Sequence, residues 1–429
     1  MPGFAPTMTP ATVTPVALPV KRREILGWCC FDFANSAFTT IVITVVYAVY
    51  FRQVVAGGDA RALSWWGTAL SLSQLSVILL SPWIGAIADV TARKKQFLLL
   101  AAGVCSVATM LLAWIGPGHI MLALGVVMIA NFAFSVSENL CASFLPEIST
   151  PQNVGRISGF GWSFGYFGGL LSLGLAWVIM NSGEGRVPWT FVMTGLFFLL
   201  ACTPTLLFLR ERAVRRQLAP GDTYLRVAWR ANLATLRELP RYRTLAIFFV
   251  AFTLFMAGLS AVIAFAALFG NDVLHLSTTE NILLFSVLQI TSAVGAFGFG
   301  FLQDRVGPKA TLLAALGIWL VVSVWAAVCS SKLEFFLVGS LAGIGLGSLQ
   351  AASRAVVSTL TPPGRSGEFF GFWGLFGKLG GVIGYSTMGW SAAYLGFRSA
   401  VLINGVLFLL GFIVVSTLAL PRRTGFSSP

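Results

Sequence analysis

The chain has 429 residues, of which 57% are hydrophobic and only 10% are charged, and its formal net charge is +13. A soluble domain has roughly 25% charged residues, so this composition excludes an ordinary cytosolic protein. A basic chain can bind nucleic acid, but the distribution of the basic residues favours membrane topology as their explanation.

Twelve segments are long and apolar enough to be membrane spans, and each is bounded by charged residues, proline or glycine. A spanning helix needs about 20 mainly apolar residues. The pattern therefore predicts an all-α integral membrane protein with twelve transmembrane helices. In chain order the segments lie near 27–51, 64–88, 96–115, 119–145, 157–181, 189–209, 244–270, 280–303, 308–329, 334–360, 369–394 and 398–420.

The basic residues gather on one side of these predicted spans. With the N-terminus placed inside, 21 of the 28 lysines and arginines fall in inner segments, and five fall in outer loops or helix ends. This asymmetry follows the positive-inside rule, and an even number of spans places both termini in the cytoplasm. The net charge then orients the protein, and we expect no nucleic-acid partner.

The chain repeats itself once. The motif "GAIADVTARKK" recurs as "GFLQDRVGPK", which puts Asp89 in register with Asp304. The motif "GFGWSFGYFGG" at 159–169 recurs as "GFWGLFGKLGG" at 371–381, with glycines of the two copies in step. The repeat predicts two pseudo-symmetric six-helix bundles of like orientation.

The predicted domain organisation follows from these halves and from the polar stretch between them. The central stretch carries leucines and a tryptophan at helical spacing beside arginines, which is typical of an amphipathic helix at a membrane surface. The predicted units are a disordered N-terminal tail at 1–26, a first bundle at 27–209, a cytoplasmic linker at 210–243, a second bundle at 244–420 and a C-terminal tail at 421–429.

A parallel repeat of six helices is the arrangement of transporters whose substrate site lies between the two halves. The "GxxxD" motif and the basic turn after the second segment resemble the signature loop of the major facilitator superfamily. The resemblance implies that Asp89 lies on the cytoplasmic surface near the start of helix 11, where a carboxylate is stabilised by about 0.3–1 kcal/mol.

We predict that Asp89 is a conformational latch, with Arg93 and Arg156 as candidate partners. Asp304 is its predicted counterpart in the second half. That second latch is expected to be weaker, because Pro308 replaces a basic residue of the motif. A plain polar turn is the alternative interpretation of both loops.

Away from the span ends, four charged residues lie within the predicted spans proper, namely Asp32, Glu138, Arg354 and Lys378. Each costs at least about 2.5–3.5 kcal/mol at mid-bilayer, so each should face protein or a water-filled cavity. Intramembrane charges of this kind predict the functional site.

Glu138 and Arg354 each precede a proline by eight residues, so they are equal in depth and opposite in sign. In the facilitator fold that the chain resembles, helices 4 and 10 meet across the cytoplasmic mouth. We therefore predict that Glu138 and Arg354 pair as a cytoplasmic gate when this mouth is shut. Substrate binding by Arg354 and purely structural pairing are the open alternatives.

Asp32 lies about 7 Å inside the first helix, at 1.5 Å per residue. We predict that it carries a coupling proton or anchors a substrate ammonium group; capping of a nearby helix end is the alternative. Asn35 and Ser36 lie one turn further on and are predicted to bond the same ligand. Lys378, near mid-bilayer, is predicted to meet a substrate carboxylate.

Longer motifs resemble one branch of the superfamily. "FDFANSAFTTIVITVVYAVYF", "NLCASFLPEIS", "GRISGFGWSFGYFGG" and "GSLQAASRAVVSTLTPPGRSGEFFGFWGLFGKLGG" are similar to the fungal vacuolar amino-acid effluxers of autophagy and their bacterial relatives. The resemblance implies a secondary active transporter that exports amino acids. Two anions and two cations could hold both ends of a zwitterion, or serve as gates around another solute.

We expect no enzymatic activity, cofactor or metal site. The two histidines, His119 and His275, fall on the outer side in different halves. A transporter-fold receptor or scaffold that binds a solute without moving it is the alternative function. The short loops resemble those of a bacterial protein, so we expect a monomer in the bacterial cytoplasmic membrane, with a small-molecule substrate and the lipid bilayer as partners.

Overall fold

The computed structural model describes residues 19–59, 61–213, 222–224, 226–227, 229–230, 233 and 242–420. The regular structure of this part of the chain is helical throughout, without strands. The predicted C-terminal tail at 421–429 lies outside the described residues, as do residues 1–18 of the N-terminal tail and most of the linker.

Six long helices form the first half. They are α1 (Arg22–Phe38), α2 (Ala62–Thr91), α3 (Lys94–Leu111), α4 (Ile120–Ala142), α5 (Val154–Asn181) and α6 (Val187–Ala201). The helix of α1 continues through a π-helical stretch at Thr39–Val45, a short α-helix at Tyr47–Tyr50 and a second π-helical stretch at Phe51–Val55. Short segments at Leu112–Trp114, Leu145–Ile148 and Thr203–Phe208 extend or follow α3, α4 and α6.

Six further helices form the second half. They are α7 (Arg243–Leu274), α8 (Thr278–Val306), α9 (Pro308–Val328), α10 (Lys332–Leu360), α11 (Ser366–Leu395) and α12 (Phe397–Thr417). Each of the twelve predicted segments thus coincides with one of these helices and any short segment that extends it, which confirms the all-α fold class.

Composition supports eleven of these helices as membrane spans within the described residues. The remaining helix, α11, is 30 residues long. It lacks a continuous stretch as apolar as those of the other eleven, because glycines recur along it and Lys378 lies near its middle. It packs along α2, α7 and α12, which are themselves long and apolar enough to cross a membrane.

The first helix begins earlier than predicted. The tail was expected to extend to residue 26, but α1 starts at Arg22. The Glu24 side chain accepts a hydrogen bond from the backbone amide of Lys21, at 3.3 Å, which closes the first turn. Glu24 is buried and also pairs with Arg212 at 2.7 Å, so tertiary contacts stabilise this extra turn.

Other helix ends follow from local sequence. Ser277 begins α8 by accepting a hydrogen bond from the Glu280 amide, while the Glu280 side chain accepts one from Ser277. This reciprocal capping satisfies amide groups that a helix start leaves unpaired. Gly307 and Gly396 have φ values of 91° and 81°, which only glycine adopts easily, and they allow one-residue turns before α9 and α12.

The helices form two bundles that pack against each other symmetrically. In the first half α1 packs on α5 and α6, and α4 packs on α2 and α3. In the second half α7 packs on α11 and α12, and α10 packs on α8 and α9. The two halves meet chiefly where α2 lies along α11 and where α5 lies along α8, and these two pairs are equivalent by the internal repeat.

Glycine allows both of these inter-bundle contacts. A Cβ atom added at Gly155 of α5 would lie 2.6 Å from the carbonyl oxygen of Gly300 in α8. One added at Gly367 of α11 would lie 2.5 Å from the carbonyl oxygen of Gly85 in α2. Both spacings are shorter than real Cβ contacts, so any side chain at these positions would separate the bundles.

Candidate functional site

Basic residues cluster at one end of the bundle, which we call the basic face. It is formed by the start of α1, the α2–α3 and α8–α9 turns, and the starts of α5 and α11. Its charged residues include Arg22, Arg93, Lys94, Arg156, Lys309 and Arg365.

Asp89 binds the N-terminus of α11 at this face. Its two carboxylate oxygens accept hydrogen bonds from the backbone amides of Gly367 and Glu368, each at 3.0 Å. These amides have no partner within their own helix, and the positive end of the helix dipole favours the carboxylate. The contact joins the first bundle to the second.

Asp304 makes the equivalent contact with α5. It accepts hydrogen bonds from the amides of Gly155 and Arg156, at 2.9 and 3.1 Å, and a third from the Arg156 side chain at 3.0 Å. The Asp304 contact, which was expected to be weaker, thus includes a charged side chain that the opposite bundle supplies. We call the Asp89 and Asp304 contacts the two latches.

The predicted partners of Asp89 were wrong. Arg156 pairs with Asp304, because α5 lies against α8 and not against α2. Among the described residues, Lys94 and not Arg93 forms the ion pair with Asp89, at 3.9 Å. The Lys94 side chain points inward, where it is almost completely buried.

Lys94 is a functional candidate that the sequence reasoning missed. Its ammonium group contacts the Glu147 carboxylate, donates to the Ser366 hydroxyl at 2.8 Å and lies 5.0 Å from the centre of the Phe144 ring. Lys94 therefore links α3, the segment after α4 and the start of α11 beside the Asp89 latch. The motif "NLCASFLPEIS" contains Glu147, the partner of Lys94, and is the sequence feature that could have indicated this contact.

A buried ion pair crosses the interface deeper in the protein. The Arg354 guanidinium of α10 donates to the Asp32 carboxylate of α1 at 2.7 Å. Arg354 is 2% exposed and Asp32 is 7% exposed. Charges buried in this way are tolerated only when they are paired and hydrogen-bonded.

Arg354 makes two further hydrogen bonds and lies between two aromatic rings. Its Nε atom donates to the Ser158 hydroxyl at 3.2 Å, and a terminal nitrogen donates to the Ser158 carbonyl at 2.9 Å. The guanidinium carbon lies 4.5 Å from the centre of the Trp28 ring and 5.2 Å from that of Trp162. Three helices, α1, α5 and α10, thus hold one cation.

The prediction that Arg354 pairs with Glu138 is therefore wrong, because Arg354 pairs with Asp32. No ion pair joins these two residues within the described chain, because Arg354 faces α1 and α5 and is taken by Asp32. The prediction used only the equal spacing of the two residues from a following proline, and spacing along a helix does not determine the direction in which a side chain points. In this state Arg354 is also too buried to bind a solute.

A cavity of about 390 Å³ lies between the two bundles. Helices α1, α4 and α5 line one wall, and α7, α8, α10 and α11 line the other. Five of the predicted site residues lie on its surface, namely Asp32, Asn35, Ser36, Glu138 and Lys378.

The cavity extends away from the basic face. Its lining includes Ile263, which lies 20 residues beyond the start of α7 at Arg243, and Phe285, close to the opposite end of α8. The Asp32–Arg354 pair lies on the other side, because Arg354 is six residues from the end of α10 at the basic face. The pair and the two latches together close the basic face.

Glu138 and Lys378 are half-buried charged residues on opposite walls of this cavity. Glu138 belongs to α4 of the first bundle and Lys378 to α11 of the second. Neither forms an ion pair with any residue that the structure describes. An anion and a cation are therefore both available to a solute, on opposite walls.

The chain matches the family described as "Vacuole effluxer Atg22 like" over residues 55–425. An uncharacterized MFS-type transporter of Bacillus subtilis, YxiO, is 25% identical over 91% of this chain and 93% of its own length. Autophagy-related protein 22 of Gibberella zeae is 21% identical, over 87% of this chain and 75% of its own length. The multi-drug resistance efflux pump PmrA of Streptococcus pneumoniae is 27% identical, over 80% and 84% respectively.

Solved structures show the same fold. The human organic anion transporter MFSD10 superposes with a TM-score of 0.76 at 16% identity, over 93% of this chain and all of its own. A bacterial homologue of the iron transporter ferroportin, in an outward-facing state, superposes with a TM-score of 0.71 at 15% identity, over 94% of this chain and all of its own. The chain belongs to the Vacuole effluxer Atg22 like family and is a multi-pass membrane transporter of the major facilitator type, not an enzyme.

Proposed function

We propose that the protein exports a small zwitterionic solute, an amino acid, by alternating access coupled to protons. The observation that carries this proposal is the pair of opposite charges, Glu138 and Lys378, on facing walls of one cavity between two bundles. The family description as an effluxer supports the direction of transport.

An α-amino acid matches the two walls of the cavity. Its ammonium group would bind Glu138, with Asn35 and Ser36 of α1 as further polar contacts on the same side. Its carboxylate would bind Lys378 on the opposite bundle. Such a solute bridges the two halves, so its binding favours the arrangement in which both walls approach it.

Asp32 and Arg354 are the proposed gate at the basic face, which the positive-inside rule places in the cytoplasm. Breaking a buried pair from one side costs about 3–5 kcal/mol, enough to shift a two-state equilibrium strongly. A proton delivered to Asp32 from the cavity would remove its charge and release Arg354. In this scheme proton entry from outside opens the basic face and couples the proton gradient to export.

Flux into proteoliposomes tests the proposal. The purified chain is reconstituted and uptake of labelled amino acids, sugars and organic acids is measured with and without a pH gradient. We expect amino-acid flux that the gradient accelerates. Binding of an amino acid without flux in any condition would contradict transport and favour a receptor.

The charge-removing variants Glu138→Gln and Lys378→Gln each lose one charge-assisted contact to the solute. Such a contact contributes about 1.5–3 kcal/mol, so we expect apparent affinity to fall by roughly 10- to 150-fold. Glu280→Gln and Lys332→Gln are matched controls, because that ion pair is exposed and lies outside the cavity. Equal losses in the controls would exclude a zwitterion site.

Asp32→Asn tests the coupling separately. The variant cannot exchange the proposed proton, so we expect that a pH gradient no longer accelerates its flux. Exchange of labelled for unlabelled amino acid without a gradient provides the comparison. Gradient-driven transport equal to wild type would eliminate Asp32 as the proton carrier.

A further inference from the structure

A second cavity, of about 550 Å³, lies at the basic face between α1 and α5, separate from the transport cavity. We call it the α1–α5 groove. Its lining residues recur at helical spacing, so each helix presents one face to it. Arg22, Ile25 and Leu26 lie on the α1 side, and Arg156, Phe160 and Phe164 on the α5 side.

The groove is basic at its outer end and apolar along its depth. Arg22 is the first residue of α1, and Arg156 is the third residue of α5. Phe160 and Phe164 lie about 6 and 12 Å deeper along α5, at 1.5 Å per residue. Leu26 is 47% exposed and Phe164 is 38% exposed, so the apolar wall is open to the surroundings of the bundle.

Arg156 retains hydrogen-bonding capacity at this site. Its Nε atom donates to Asp304 in the second latch, and its side chain is still 44% exposed. The terminal nitrogens make no hydrogen bond to any residue that the structure describes. A guanidinium has five N–H donors, so those that remain are available to an anion in the groove.

We propose that the α1–α5 groove binds one anionic phospholipid. The phosphate lies between Arg22 and Arg156, and an acyl chain lies along Leu26, Phe160 and Phe164. The order of charged and apolar residues along the groove matches the order of headgroup and acyl chain in a lipid. Basic pockets between membrane helices on the cytoplasmic side are suited to anionic headgroups.

The site also connects the lipid to the latch. Arg156 keeps its place at the rim of the groove while α5 lies against α8, since Asp304 holds both its amide and its side chain. Bound lipid therefore favours the arrangement in which the basic face is closed.

Lipid counting by native mass spectrometry tests the proposal. The full chain in detergent is titrated with phosphatidylglycerol and, separately, with phosphatidylcholine of the same acyl chains. We expect one phosphatidylglycerol to bind more tightly than any phosphatidylcholine. Because one basic residue near a membrane surface contributes about 1 kcal/mol, Arg22→Gln should weaken this binding about fivefold.

Arg23→Gln is the matched control, because Arg23 is exposed, adjacent in sequence and outside the groove. It should retain wild-type binding. Equal affinities of the two variants, or equal binding of the two lipids, would overturn the proposal.

A competition experiment with sodium phosphate separates a lipid from a free anion. If sodium phosphate displaces phosphatidylglycerol at equal concentration, the groove is a free-anion site and not a lipid site. Phe164→Ala provides a second variant, and unchanged phosphatidylglycerol affinity in it would remove the proposed acyl-chain contact.

Discussion

The Asp32–Arg354 pair depends on one small residue. Gly161 of α5 lies beside it, and a Cβ atom at this position would collide with both the Asp32 carboxylate and the Arg354 guanidinium. The neighbouring ring of Trp28 would also be too close, at 2.7 Å. The space that the ion pair occupies therefore exists because residue 161 has no side chain.

Gly161→Ala should displace the pair and abolish most transport. A buried charge left without its partner costs about 3–5 kcal/mol, so the thermal unfolding midpoint should also fall. Gly174→Ala in the same helix is the control, since nothing lies within 4 Å of a Cβ there. That change should be neutral or slightly stabilising, by up to about 1 kcal/mol. Wild-type flux in Gly161→Ala would show that the pair is dispensable.

Sequence reasoning at the residue scale identified the charges but not their partners. Asp32, Glu138, Arg354 and Lys378 stand out because ionised groups are rare in apolar helices. The partner of each depends on helix rotation, and one residue along a helix turns the side chain by about 100°. Lys94 was missed for the same reason, since from the sequence it resembles any basic residue of a cytoplasmic turn.

At the scale of elements, two aspartates each cap a helix of the opposite bundle. Asp89 binds the start of α11 and Asp304 binds the start of α5, so the same device occurs twice about the pseudo-twofold axis. Each contact combines hydrogen bonds to free amides with the helix dipole, and each lies beside a glycine–glycine contact between helices. We interpret these contacts as parts of one closure at the basic face.

Asp89→Asn should loosen the start of α11. The asparagine lacks the negative charge, which contributes about 0.3–1 kcal/mol at a helix N-terminus. Hydrogen–deuterium exchange of the Gly367 and Glu368 amides should then be up to about fivefold faster. Asp304→Asn should act in the same way on α5. Asp272→Asn, at an exposed position in α7, should change neither peptide; equal acceleration in all three variants would contradict a specific latch.

The loop after α6 is attached to the first bundle through Glu211. Its carboxylate accepts hydrogen bonds from the amides of Lys94 and Lys95, at 2.7 and 3.2 Å. Burial raises the pKa of the Glu211 carboxyl above its ordinary value, against the opposing effect of these two amides. The folded protein therefore holds the proton of the Glu211 carboxyl group more tightly than the unfolded chain does.

The sign of this shift predicts a pH dependence. Because the folded pKa is raised, the contribution of Glu211 to stability is present below its ordinary value of about 4.3 and is lost as pH rises through the folded pKa. The unfolding midpoint of Glu211→Gln, relative to wild type, should therefore be higher at about pH 8 than at about pH 4. Glu184→Gln, at an exposed position, serves as the control. A difference between Glu211→Gln and wild type that does not change with pH would refute this explanation.

At the scale of the whole molecule, the protein is in a state closed at the basic face with a cavity extending toward the other end. The two latches and the Asp32–Arg354 pair lie toward the basic face, and the cavity lining reaches Ile263 and Phe285 toward the other end. With the basic face in its proposed cytoplasmic position, this arrangement would be the outward-facing state of the proposed alternating-access cycle.

Cysteine labelling tests this state. In a background without the six native cysteines, Ile263→Cys should react with a charged, membrane-impermeant thiol reagent added outside right-side-out vesicles, since Ile263 lines the cavity. Ala264→Cys is the control, because Ala264 is exposed at the same depth but does not line the cavity. Added substrate should slow labelling of the first variant. Labelling of Ile263→Cys only from the cytoplasmic side would reverse the assigned orientation.

The sequence by itself determined the all-α class, the places of twelve helices, the internal repeat and the family, because hydropathy and motif spacing are local properties of the chain. The family resemblance of its "GxxxD" motif implied that Asp89 lies near the start of α11, where the structure has it. Only the tertiary structure decided that Arg354 meets Asp32, that Arg156 meets Asp304 and that Glu138 and Lys378 are left to the cavity. These pairings depend on how helices from two bundles rotate and approach at their glycine contacts, and one residue of rotation is enough to change a partner.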